Sequence, residues 1–136
     1  MSVRTAVQVS LTLAAFLLPS ALLADDAQQA GKAVFVRYCG ACHGPDAKGD
    51  GSVAFVLTPK PADLTTIAKR NKGEFPSEEV AKTIDGRTTL RAHGDPDMPV
   101  WGEVFDEEAA EAGKPPAEIR KKVQLITEYL KSIQIR

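Results

Sequence analysis

The sequence predicts an all-α fold of four to five helices. Apolar residues recur at helical spacing near both ends of the chain, and no stretch alternates polar and apolar residues as a half-buried strand would. Glycine and proline punctuate the middle into short segments.

The first helix is expected to start at Asp26, which can cap it with Gln29 in capping-box position. Ala27, Ala30, Gly31, Val34, Phe35 and Tyr38 then mark one face. Gly31 costs helix stability, so a close approach by another helix is the reason to expect for it. Residues 44–62 read as loop, broken by Gly44-Pro45, Gly49-Asp50-Gly51 and Pro59-Lys60-Pro61. Asp46, Asp50 and Gly51 imitate part of a calcium loop, but Lys48 and Leu57 stand where ligands are needed.

Asp63 can cap a short helix from Leu64 to about Lys69. The next helix has Ser77 as its cap, Glu78 and Glu79 in its first turn, Val80, Ala81 and Ile84 on its apolar face, and Gly86 as its stop. Asp85 to Gly102 reads as a long irregular segment, the kind that usually carries function. Glu103–Gly113 can hold a short acidic helix. Pro115-Pro116 leads into the last helix, whose stripe is Ile119, Val123, Ile126, Leu130 and Ile133, broadened by Tyr129. Lys121 and Lys122 are expected on the opposite, solvated side.

The chain has 136 residues, enough for one domain. Residues 1–24 read as a signal peptide: Arg4 is the only charge, Leu11–Leu18 is an apolar core, and Ala21-Leu22-Leu23-Ala24 meets Asp25-Asp26. Cleavage after Ala24 would leave residues 25–136 as the domain and place it in the periplasm; an uncleaved membrane anchor is the alternative. The remaining 112 residues carry a net charge of −2, without the basic excess of a nucleic-acid binder.

The chemistry is concentrated in Cys39-Gly40-Ala41-Cys42-His43. Two thiols two residues apart, followed at once by histidine, form the pattern for c-type haem attachment. Each cysteine can form a thioether with one vinyl group, and the histidine becomes an axial iron ligand. A thioredoxin-like dithiol is the rival reading, but His43 follows directly and no βαβ pattern surrounds the pair. Cys39 and Cys42 are the only cysteines, so covalent haem c leaves none for a disulfide.

A second axial ligand must come from Met98 or His93 once Met1 is removed. Met98 precedes Pro99, which drives it out of helical geometry, and Pro96 stiffens the other side. A gap-filling core methionine would not normally sit in so polar a loop. Methionine ligation raises the potential relative to bis-histidine and fills the sixth position. The chain shows no acid–base constellation, so no catalytic residue is expected.

With these residues quoted, the chain resembles the bacterial class I monohaem c-type cytochromes. An N-terminal helix, C-x-x-C-H, the Met-Pro-x-Trp-Gly stretch at 98–102 and a closing helix follow that family's order. Pro-Lys-Pro-Ala-Asp-Leu at 59–64 and Ile-Asp-Gly-Arg at 84–87 are also similar. The resemblance implies a cytochrome c fold around one covalently bound haem, with its first and last helices packed across each other. Gly31 and Phe35 would meet Tyr129 and Leu130. It further implies a backbone carbonyl at Pro61 orienting His43, and Arg87 and Trp101 near the haem propionates.

The expected function is single-electron transfer between redox partner proteins by a monomer with no small-molecule substrate. The donor or acceptor can be a membrane-bound respiratory complex. Two alternatives stand beside it: an electron-accepting haem subunit of an oxidoreductase complex, and a haem sensor or peroxidase-like protein with a labile sixth ligand and His93 on the distal side. The acids Asp106, Glu107, Glu108 and Glu111 can guide a basic partner at low ionic strength.

Overall fold

A computed structural model describes residues 20–86, 98–115 and 117–135. These form six α-helices and two 3-10 turns, with no strand among the described residues. In order they are α1 (Ser20–Tyr38), α2 (Gly40–His43), a 3-10 turn (Ala54–Val56), a second 3-10 turn (Leu64–Thr66), α3 (Ile67–Arg70), α4 (Ser77–Asp85), α5 (Trp101–Glu111) and α6 (Ala117–Ser132). α2 and α3 are single turns, so four longer helices build the body, as the all-α expectation requires.

α6 is the hub, packing on α1, α4 and α5. Its apolar stripe makes this possible: Val123, Ile126, Tyr129 and Leu130 are buried, and Ile133 is partly so. α1 lies against it through Gly31 and Phe35. A Cβ on Gly31 would meet the Leu125 backbone and the Tyr129 side chain. The Phe35 ring sits 5.3 Å from that of Tyr129. The core beneath is made by Phe35, Ile84, Phe105 and Ile126, with Phe35 and Phe105 fully buried.

The helix ends follow local chemistry. Asp63 Oδ1 accepts the Thr65 amide at 2.9 Å and caps the 3-10 turn, as expected. Gly86 closes α4 in the left-handed region at φ 72°, its N–H donating to the Lys82 carbonyl. Ser77 is the first residue of α4 rather than its cap; Pro76 holds the cap position, and its carbonyl accepts the Val80 amide. α5 starts at Trp101, two residues before the expected Glu103.

The first helix differs most from expectation. It begins at Ser20 rather than Asp26. Alanine and leucine at 21–24 are strong helix formers, so nothing halts the helix at Asp26. Gln29 donates to Asp25 Oδ2 at 3.3 Å instead of reaching back to a cap. No helix among the described residues is long and apolar enough to cross a membrane.

Candidate functional site

The C-x-x-C-H segment is the turn at which α1 ends. The amides of Cys42 and His43 both donate to the Cys39 carbonyl, at 3.2 and 2.9 Å, and wind residues 40–43 into α2. This turn brings Cys39, Cys42 and His43 together, all half-buried, and Cys39 packs against the core cluster. Helix ends leave carbonyls without partners, and here the following loop supplies them. The amides of Val53, Gly51 and Gly49 donate to the carbonyls of Ala41, Cys42 and His43 at 3.0, 3.1 and 2.8 Å.

His43 Nδ1 lies 3.3 Å from the Ala62 carbonyl. An Nδ1–H donated there fixes the tautomer and leaves Nε2 for a metal. The expected carbonyl was that of Pro61, and the structure corrects it by one residue. Pro61 turns its carbonyl towards Gly49, where a Cβ would lie 3.1 Å from the carbonyl carbon. Burial pushes the His43 pKa below 6.5, against an opposing pull from Ala62, and so favours the neutral form that binds metals. Burial, and then the neighbouring Cys42, pushes the Cys39 thiol up to about 12.

The segment carrying Ala62 is itself anchored by the C-terminus. Gln134 accepts from the Ala68 amide at 2.9 Å and donates to the Leu64 and Leu130 carbonyls at 2.8 and 2.7 Å. The Ile135 amide donates to Thr65 at 2.9 Å.

Met98 is half-buried at the entry to α5. Gly86 and Val100 come together there: a Cβ on Gly86 would lie 3.1 Å from the Val100 Cα. The segment that carries Met98 is therefore pinched at its base. Arg87 and His93 lie outside the described residues. Trp101 is half-buried, with its ring 5.7 Å from Tyr38 and 5.8 Å from Phe105.

Tyr38, Glu108 and Lys122 form a cluster that the sequence reading missed. Tyr38 Oη donates to Glu108 Oε2 at 2.7 Å, and Lys122 Nζ pairs with the same oxygen at 2.6 Å. Lys122 also lies 5.0 Å from the Tyr38 ring centroid and 4.8 Å from that of Phe105. Lys122 was expected in solvent, and Glu108 in an exposed acidic group. Both are instead drawn inward by these rings and by each other. The signal was in the register of α5, where Glu108 falls three residues after Phe105 and beside Ala109, on the buried side.

On the solvent side of the motif stand exposed apolar side chains: Phe55 is 81% and Val56 65% exposed. They follow Val53, whose amide is bonded to Ala41.

The donor set fits haem c. Two thiols and an imidazole share one turn, the imidazole is oriented through Nδ1, and apolar side chains back the turn. The family model described as cytochrome C oxidase, cbb3-type, subunit III matches residues 26–113. No curated protein and no solved structure matches the chain. The matched region runs from the first helix through α5 and covers more than half of the sequence. The chain therefore belongs to that family and is a c-type cytochrome, an all-α domain that binds haem c and serves electron transfer.

Proposed function

We propose that this cytochrome is an exported monohaem carrier of single electrons. Cys39 and Cys42 would hold the haem through thioethers, and His43 and Met98 would ligate its iron. The observation that carries the reading is the turn formed by Cys39 and α2, where both thiols and an imidazole oriented by Ala62 share five residues of backbone. When bound, haem supplies reversible one-electron chemistry at iron.

The chain's own groups do the rest. The Cys39 and Cys42 thiols would each supply the sulfur of one thioether holding the haem. Ala62 holds the His43 proton at Nδ1, keeping Nε2 available as a ligand. Phe35 and the core around it exclude water behind the turn. Pro99 keeps Met98 out of helical geometry. Residues 1–24 direct export and are removed after Ala24, so that α1 of the periplasmic protein starts near Asp25.

Two measurements test this. Protein exported from cells able to attach haem retains one haem mass under denaturing conditions, and the Cys39→Ser/Cys42→Ser variant loses it. Ferric wild type is low-spin, with a thioether-to-iron charge-transfer band that Met98→Ala abolishes. A high-spin wild type would overturn the carrier reading, and a mature protein beginning at Met1 would overturn export with cleavage.

A second reading, favoured by the family's own description, makes the protein a resident subunit of an oxidase complex. Adjacent exposed apolar side chains are what a protein contact uses, and the neighbours Phe55 and Val56 support this reading. Fractionation of native membranes separates the two. The subunit reading expects the haem to co-migrate with oxygen-consuming activity; the carrier reading expects it in the periplasmic fraction.

A further inference from the structure

We propose that Tyr38, clamped by Glu108 and Lys122, is a positioning residue that ties the thioether side of the site to the Met98 side. The proposal rests on the reading of Met98 as an iron ligand.

Tyr38 is joined to Cys39 through the backbone, so its Cα is fixed relative to the C-x-x-C-H turn. The Tyr38 ring packs edge-on to Trp101, 5.7 Å between centroids and 71° between planes, and to Phe105 at 4.9 Å and 78°. Trp101 opens α5 three residues after Met98, and Val100 between them is held against Gly86. A tyrosine ring on its own could turn or slide along these partners. Its hydroxyl prevents this by donating to Glu108 one helical turn beyond Phe105. Lys122 then reaches in from α6 to close the cluster on Glu108 and lies over both rings.

Three helices thus meet at one phenol. Among the described residues, the charged groups facing it are Glu108 on α5, Lys122 on α6 and Arg37 on its own helix, 5.2 Å from the ring centroid. Edge-to-face rings and a charge-assisted hydrogen bond constrain orientation as well as adding stability. The cluster is therefore suited to hold Trp101, and with it the limb bearing Met98, at a fixed distance from Cys39.

The test uses full-length haem-loaded protein and imidazole, which competes with Met98 for ferric iron. A limb held less firmly is displaced more easily, so apparent imidazole affinity rises as the closed state loses its advantage. Tyr38→Phe, Glu108→Gln and Lys122→Met should each bind imidazole about two- to fivefold more tightly than wild type, the equilibrium change expected for one partly solvated charged contact. Lys122→Arg, which keeps the charge and the donor, should stay near wild type. Ile133→Ala, at the far end of α6, serves as a control that loses stability to denaturant without touching the cluster; it should bind imidazole as wild type does. The proposal is overturned if Glu108→Gln and Lys122→Met bind imidazole as wild type does, or if Ile133→Ala shifts affinity as much as they do. An unchanged ferric spectrum in Met98→Ala would instead overturn the ligand reading on which the proposal stands.

Discussion

Gly31 of α1 lies so close to Tyr129 of α6 that a Cβ on the glycine would come within 2.9 Å of the tyrosine's own Cβ. One turn further along α1, the Phe35 ring covers the same tyrosine. The two helices approach as closely as they do because one of them has no side chain at the crossing.

Gly31→Ala is therefore expected to destabilise the protein. Alanine would gain up to about 1 kcal/mol of helix propensity, but overpacking against backbone costs about 1–3 kcal/mol. The Leu125 carbonyl in the way is not the end of a flexible side chain and cannot swing aside. Thermal unfolding of the haem-loaded protein measures the net loss; an equal or higher Tm would show that α1 and α6 can separate freely.

Glu108→Gln should produce a pH-dependent loss. The hydrogen bond from Lys122, and then that from Tyr38, holds the Glu108 carboxyl below its ordinary 4.5. A depressed carboxyl contributes stability that is present above its unfolded value and lost as pH falls through its folded one. Burial pulls the Lys122 pKa down, but bonds to Glu108 and Tyr38 outweigh it and leave the value above 10.5. Its share is complete below that value and fades as pH rises through the raised one. The variant should be less stable near neutrality by about 0.5–1 kcal/mol, a small figure because solvent reaches both partners. Denaturant titrations across acid pH should show the two proteins converging.

Gly86→Ala tests the pinch at the base of the Met98 segment. The left-handed φ of 72° costs a residue with a Cβ about 1–2 kcal/mol, and that Cβ would also press on Val100. The Val104 amide, which donates to the Val100 carbonyl at 3.3 Å, should exchange with solvent faster in the variant. Unchanged exchange would mean that the two strands of the pinch are not coupled.

Gln134→Ala removes three hydrogen bonds from one side chain. Partly buried groups left without partners cost about 1–3 kcal/mol, and the loss should be concentrated in residues 64–68. Faster exchange at the Ala68 amide is the specific readout. Loss of stability without it would place the role of Gln134 elsewhere.

Periodicity made much of the architecture readable. Val123, Ile126, Tyr129 and Leu130 of the α6 stripe are buried where its spacing predicts, and Gly86 stops α4 because a left-handed residue is what ends such a helix. The geometry of the C-x-x-C-H turn was readable because its three donor residues lie close together in sequence. What escaped depends on partners distant in sequence. Lys122 sits off its own helix's apolar stripe, and only Tyr38, Phe105 and Glu108, from two other helices, make the inward position favourable. The choice of Ala62 over Pro61 rests on which way a turn presents one carbonyl, and side-chain pattern carries no record of that. The start of α1 was misjudged because a good capping residue at Asp26 competes with a run of strong helix formers before it.

The loop after the attachment turn answers three successive carbonyls, those of Ala41, Cys42 and His43, with the amides of Val53, Gly51 and Gly49. Every second residue of the loop is thus committed through its main chain, while Lys48, Asp50 and Ser52, which alternate with them, are exposed. Surface identity and cofactor retention are consequently written in separate parts of the same ten residues. A lineage, or an engineer, can exchange the exposed side chains to suit a new partner and leave the grip on the haem untouched.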